Sequence, residues 1–242
     1  MTDNNRFLKS IVQTSLKEVD GAINIAANGG QTTVSFPALL TAQNMTFRNI
    51  QSININSLNN VTSDMGFFTT SLTSISAPNL TSIGSSLSFV NCTSLTNLSF
   101  PQLTSIGGTF LIANDTSLLT IGGFDKVQTV AGSIDWTGNF NNASLPSISD
   151  VRGGVNVQSS SDSFVCPFPE IQNNGVVKGK GFVCTGKVSN PSSGVNGTNQ
   201  TANGGGQSGG SGSKTSAAYQ ITSSVGFAGL AVAAAVVMQY LV

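Results

Sequence analysis

The apolar residues of this chain recur at a long, repeating stride. Thr73-Ser-Ile-Ser-Ala-Pro-Asn-Leu-Thr-Ser-Ile-Gly aligns with Thr96-Asn-Leu-Ser-Phe-Pro-Gln-Leu-Thr-Ser-Ile-Gly after a step of 23 residues. Each unit holds an apolar pair at i and i+3, then apolar residues four and six positions after the second member, the anchor. Leu80 and Ile83 lead to Leu87 and Phe89, and Leu103 and Ile106 lead to Phe110 and Ile112. Val127 and Val130 lead to Ile134 and Trp136, and Ile148 and Val151 to Val155 and Val157. Upstream, Leu58 and Val61 precede Met65 and Phe67, while Leu16 and Val19 precede Ile23 and Ile25. A looser copy at Leu39 and Ala42 has Met45 and Phe47 one residue early. The anchors Val19, Ala42, Val61, Ile83, Ile106, Val130 and Val151 mark seven rungs, spaced 19 to 24 residues apart.

A second apolar pair lies eleven and eight residues before most anchors: Leu8 and Ile11, Ile50 and Ile53, Leu72 and Ile75, Leu95 and Leu98. Two short apolar strands per turn, separated by Gly- and Asn-rich corners, describe a parallel coil. Strand side chains alternate faces, so positions +4 and +6 from the anchor point inward and +5 and +7 outward. The outward ribbon runs Asn24 and Ala26, Gly66 and Phe68, Ser88 and Val90, Leu111 and Ala113, Asp135 and Thr137, Asn156 and Gln158. Its middle is apolar and its ends are polar. Gly21, Gly84, Gly107, Gly132 and Gly153 fall at +1 or +2, where corners needing positive φ are expected. The predicted fold is all-β: a right-handed parallel β-solenoid over residues 1–184, about seven rungs stacked about 4.8 Å apart, with a C-terminal cap over 158–184. A β-sandwich with coincidental spacing leaves these columns unexplained.

Composition narrows the chemistry. Only 8% of residues are charged, the formal net charge is zero and there is no histidine. Without a basic stripe there is no electrostatic case for nucleic acid, and the commonest general base and metal ligand is missing. No metal site or cofactor is expected. The acids are scattered over the rungs: from their own anchors Asp20 lies at +1, Asp64 at +3, Asp115 at +9, Asp125 at −5, Asp135 at +5 and Asp150 at −1. Glu18 shares the −1 position with Asp150, six rungs away. Glycoside hydrolysis generally needs two carboxyl groups about 5–9.5 Å apart, so no catalytic residues are assigned.

Cys166 and Cys184 lie close together beyond the repeats, in a polar, Gly-rich segment that suits a disulfide in an oxidising compartment. The bridge leaves Cys92 odd; three buried free thiols are the alternative. Asn-X-Ser/Thr sites at Asn44, Asn60, Asn79, Asn91, Asn97, Asn114, Asn142, Asn196 and Asn199 add to the case for secretion. Met1-Thr-Asp-Asn-Asn-Arg has no apolar core to act as a signal peptide, and Asn5-Arg-Phe-Leu-Lys-Ser-Ile already matches the second-strand template. The expectation is an internal start in a longer protein, with more repeats and an apolar leader encoded upstream.

The run Ser99-Phe-Pro-Gln-Leu-Thr-Ser-Ile-Gly-Gly-Thr-Phe-Leu-Ile-Ala-Asn resembles fungal GPI-anchored cell-wall organisation and sporulation-specific proteins. So do Phe140, Asp150-Val-Arg-Gly-Gly-Val-Asn-Val-Gln-Ser and Gly175-Val-Val-Lys-Gly-Lys. The resemblance covers roughly residues 4–185. It implies receptor L-domain-like, leucine-rich-repeat-like rungs, and a secreted protein of the outer plasma-membrane face and cell wall that is needed for cell-wall organisation and integrity, with no known enzymatic activity. Cys92 departs from the pattern, sitting at a corner where a polar residue is expected.

Residues 185–216 are mostly Ser, Gly, Asn and Thr, the composition of a disordered stalk. The apolar run from Val225 ends flush with Val242 and has no Lys or Arg beyond it. A transmembrane helix is the alternative, weakened by marginal length and the missing basic flank. A GPI signal wants small residues at the attachment site, a polar spacer and an apolar tail. Gly210-Ser-Gly followed by 213–224 supplies each part, so residues 217–242 read as a signal removed on maturation, with Gly210 the attachment candidate. The partners expected are the membrane, through the lipid, and cell-wall polysaccharide or wall proteins. The competing functional reading is a receptor-like module that binds a glycan or peptide along the outward strand face.

Overall fold

The computed structural model describes residues 7–26, 31–168 and 174–194. Among them the chain is all-β, with parallel strands stacked as a β-solenoid of about seven turns. The repeat columns are the register. Ala42 faces Val61, Val61 faces Ile83, and the ladder continues through Ile106 and Val130 to Val151. In the main row Met45, Met65, Leu87, Phe110, Ile134 and Val155 stand opposite one another in turn. Phe47, Phe67, Phe89, Ile112, Trp136 and Val157 form the second inward column beside them.

The early placement of Met45 has a local cause. Thr41–Arg48 is one continuous strand of eight residues, whereas the next rung breaks into Asn60–Val61 and Met65–Phe68 around a three-residue corner. The first rung, Glu18–Ile25, meets Thr41–Arg48 with a register shift between Val19 and Ala22 that absorbs the difference. The second-strand row is less continuous. It forms three short sheets, pairing Ile11 with Val34 and Val34 with Ile53, Ile75 with Leu98, and Ile121 with Ala143.

From the second rung on, each turns back through a tight turn three residues before its anchor. The N–H groups of Leu39, Leu58, Leu80, Leu103, Val127 and Ile148 donate to the carbonyls of Phe36, Ile55, Ala77, Phe100, Phe124 and Leu145. Pro37, Pro78, Pro101 and Pro146 occupy the second position, where the ring pre-sets φ for the turn. The core between the rows is a stack of aromatic rings. Phe47, Phe67 and Phe89 are parallel, with centroids 5.3 and 5.4 Å apart. Phe100 stacks on Phe124 at 5.1 Å, and Phe110 meets both Phe124 and Trp136 edge to face. A ring stacked on its own repeat buries both faces, which makes the column specific for register as well as for burial.

The glycines serve a purpose other than the one expected. Gly84, Gly107, Gly132 and Gly153 do not have positive φ. Their backbones instead press against the previous rung: a Cβ on Gly84 would lie 2.1 Å from the Thr62 carbonyl oxygen, and one on Gly107 only 2.0 Å from that of Gly84. Within the repeats the left-handed conformation falls at other positions: Asn49, Thr69, Asn91 and Asn114, with φ between 52° and 60°, and Gly123 at 80°.

Cys166 and Cys184 are bridged, with Cα atoms 5.5 Å apart. Cys184 belongs to strand Phe182–Thr185, which pairs with Val155–Ser159 and places Cys184 opposite Val157. The segment expected as a cap thus adds a strand to the main row, and the closed loop brings Phe168 against Trp136, centroids 5.9 Å apart. Replacing Cys166 and Cys184 together by serine is expected to cost about 3 kcal/mol in the chain-entropy picture, read as a lower thermal midpoint with Phe168 more accessible. An unchanged midpoint would remove the bridge from the account of stability.

Candidate functional site

The outward face of the main row consists of two columns. One runs Asn24, Thr46, Gly66, Ser88, Leu111, Asp135, Asn156 and Val183; the other runs Arg48, Phe68, Val90, Ala113, Thr137, Gln158 and Thr185. They are not uniformly open. Phe68, Ser88 and Val90 are half-buried, but Leu111, Ala113, Asp135, Thr137 and Asn156 are buried, each less than a tenth exposed. At the early rungs the Phe68 ring lies over Gly66, whose Cβ would come within 2.4 Å of it, and the Arg48 guanidinium stands 4.5 Å from the ring centroid.

Over the last rungs the face is covered by the chain itself. Residues 187–194, which composition assigned to the stalk, return along the solenoid. The N–H groups of Lys187 and Val188 donate to the carbonyls of Ser161 and Ser159. The Gly194 N–H donates to Asp135 Oδ2 at 2.8 Å, and Asn156 Nδ2 donates to the Ser192 carbonyl at 2.9 Å. Thr137 and Ser193 hydroxyls are 3.0 Å apart. Burial pushes the Asp135 carboxyl upward, opposed by the hydrogen bonds from Asn156 and Gly194.

Three other carboxylates, Asp64, Asp115 and Asp150, tie one turn of the chain to the next. Asp64 Oδ1 accepts the Ser86 N–H at 2.9 Å. Asp150 is bonded by Lys178 and, at 3.0 Å, by Arg152, which together hold it below the usual carboxylate range. Asp115 is buried, with Oδ1 accepting the Cys92 N–H at 2.6 Å and Oδ2 without a partner. Burial pushes it up to about 7. Cys92, expected at a polar corner, is fully buried: it follows the left-handed Asn91 and points inward, as Asp115 does after Asn114. Burial, and then the charge of Asp115, raise its thiol to about 11.

Of the nine sequons, Asn44 and Asn60 are half-buried within strands, Asn60 accepting the Ser82 hydroxyl at 2.7 Å. Asn79, Asn91, Asn97, Asn114 and Asn142 are exposed, although Asn79 Nδ2 donates to the Asn56 carbonyl at 2.7 Å. Asn196, Asn199, Gly210 and the apolar tail lie outside the described residues.

Comparison with known proteins gives a consistent set of likenesses. The chain is 34% identical over 195 residues to a cell surface GPI-anchored protein of Arthroderma benhamiae, covering 80% of this chain and 50% of that protein. It is 36% identical over 191 residues to the cell wall mannoprotein PST1 of Saccharomyces cerevisiae, covering 78% and 43% respectively. Sporulation-specific protein 2 of the same yeast is 27% identical over 164 residues, 68% of this chain and 32% of that protein. The chain therefore spans about half the length, or less, of the curated relatives it matches. No family model and no solved structure matches it.

Proposed function

We propose that this chain, whose homologues are fungal GPI-anchored cell-surface and cell-wall proteins and sporulation-specific proteins, is a non-enzymatic structural protein of the fungal wall and the outer plasma-membrane face. It is held there through a GPI lipid and contributes to wall organisation and integrity. The observation that carries this reading is the match over about four-fifths of the chain to proteins named for the cell surface and wall. The chemistry of the solenoid supports it. Asp64, Asp115, Asp135 and Asp150 are each engaged in hydrogen bonds or ion pairs that link rungs. Outward hydroxyls do the same: Thr81 bonds the Asn59 carbonyl and Thr104 that of Thr81, both at 3.0 Å. A rod with its polar groups spent on its own cohesion suits a spacer or organiser. In the fungus, deleting the gene should sensitise cells to wall-binding dyes, and phosphatidylinositol-specific phospholipase C should release the tagged protein from membranes. Unchanged dye tolerance together with phospholipase-resistant attachment would overturn the proposal.

Glycosylation follows from the same geometry. Asn91 and Asn114 occupy the same left-handed corner of adjacent rungs, φ 57° and 60°, about 4.8 Å apart by strand spacing. Asn tolerates this conformation better than other non-glycine residues, which gives both positions a structural use. Two branched glycans leaving one corner at that spacing crowd each other. At most one of the pair is expected to be heavily occupied on a given molecule, whereas Asn97 and Asn142, two rungs apart, are jointly compatible. Site-resolved glycopeptide mass spectrometry reads the outcome, and full occupancy of both Asn91 and Asn114 would contradict it.

A further inference from the structure

The outward face of the last rungs carries a row of side chains held in one orientation. Asn156 Nδ2 donates to Asp135 Oδ1 at 2.8 Å, and Asn156 Oδ1 in turn accepts Gln158 Nε2 at 2.7 Å. Both Asp135 oxygens accept, Oδ1 from Asn156 Nδ2 and Oδ2 from the Gly194 N–H, so the carboxyl sets the Asn156 amide, which then sets that of Gln158. What the row presents outward is therefore fixed: an acceptor at Asp135 Oδ2, a donor at Asn156 Nδ2 and an acceptor at Gln158 Oε1. This alternation complements peptide main chain. Asp135 takes the Gly194 N–H and Asn156 gives to the Ser192 carbonyl, while Gln158 meets both main-chain groups of Ser192 at 3.4 Å, Oε1 toward the N–H and Nε2 toward the carbonyl. Thr137 reads the residue between them through the Ser193 hydroxyl.

The occupant is held more weakly than the row is built. Asp135, Thr137 and Asn156 are buried, 7%, 3% and 2% exposed. Residues 189–194 contribute no large apolar side chain, and Ser192 and Gly194 are exposed. Each hydrogen bond adds about 0.5–1.5 kcal/mol net, so such a strap opens far below the cost of global unfolding. Once it lifts, a preorganised row remains.

We infer that this row is a peptide-binding site, filled here by the chain's own residues 192–194, and that a segment of another chain with small residues at these positions takes the same place when the strap lifts. Recognition is through main-chain amides with a hydroxyl-sized residue at the centre, so the partner is a Ser/Gly-rich peptide segment. The inference stands independently of the role in wall integrity.

The test uses the full chain and a fluorescein-labelled peptide with the sequence of residues 188–194. In the unmodified protein the tethered strap competes at an effective concentration in the millimolar range, so peptide binding is weak. Gly194→Pro removes the N–H that Asp135 accepts and cannot adopt the φ of 123° found there. This variant is expected to bind the peptide at least about tenfold more tightly. Adding Asn156→Leu, or Gln158→Leu if the first does not fold, should abolish that gain. A Thr137→Cys/Ser193→Cys disulfide should close the site. A folded Gly194→Pro protein with no tighter binding, or binding indifferent to both row substitutions, overturns the inference. So does capture of β-glucan or chitin oligomers in place of the peptide.

Discussion

Substituting Gly107 by alanine is expected to destabilise the solenoid by about 3 kcal/mol, and valine there to do worse, because neither side chain has anywhere to go. The added Cβ would sit 2.0 Å from the Gly84 carbonyl oxygen and 2.6 Å from its carbon. These are backbone atoms of a hydrogen-bonded rung, so relief requires the two rungs to separate. That separation breaks the pairing of Ile106 with Ile83 and loosens the stacked columns on either side. Gly122→Ala is the internal control. Its Cβ meets only the Thr120 methyl at 3.9 Å, an ordinary contact, so stability should stay within about 0.5 kcal/mol or rise slightly as the unfolded chain loses freedom. Denaturant unfolding of both variants compares the two effects. Equal midpoints would mean that the rungs do not press together at this corner.

The second large effect depends on pH. Asp115 has a folded-state value of about 7 against an ordinary 3.8, because burial disfavours its charged form. The folded state therefore holds its proton more tightly than the unfolded chain does. Its contribution to stability is fully present below about pH 4, falls as the pH rises toward 7, and stays lost above that. The whole swing is on the order of 4 kcal/mol at most. Asp115→Asn keeps an acceptor for the Cys92 N–H and removes the ionisation. The variant should be more stable than the parent at pH 8, by an amount that shrinks steadily toward pH 4. The Cys92 thiol, raised to about 11, stays protonated through that window and does not disturb the comparison. A constant offset between the two proteins at pH 4, 6 and 8 would remove Asp115 from the pH response.

Much of this architecture was legible because a solenoid turns sequence period directly into spatial register. An anchor such as Ile83 has its neighbours one stride away at Val61 and Ile106, so a column in the alignment is a column in the core. Alternation then assigned Leu87 and Phe89 inward and Ser88 outward without reference to any distant residue. The Cys166–Cys184 bridge was legible for a related reason: both cysteines follow the last repeat, where little else could hold a polar segment.

Side-chain direction on a strand is local, and the chain alone determined it: the all-β class, the seven anchors, the inward columns and the polar or apolar character of each outward position. What lies on top of an outward position is not local, and only the tertiary structure decided it. Asp135 and Asn156 become a buried, oriented row because residues 192–194 return over them, a contact across 59 residues that no period encodes. Composition read that segment as stalk because it has few apolar residues. Its hold on the solenoid is made by main-chain N–H and C=O groups, which every residue carries and no sequence pattern displays. The glycine corners were placed correctly and explained differently, since positive φ and close backbone approach both favour glycine and only the neighbouring rung distinguishes them. Cys92 and Asp115 turned inward for the same kind of reason: the left-handed residue before each, Asn91 and Asn114, redirects the chain at that corner into the core.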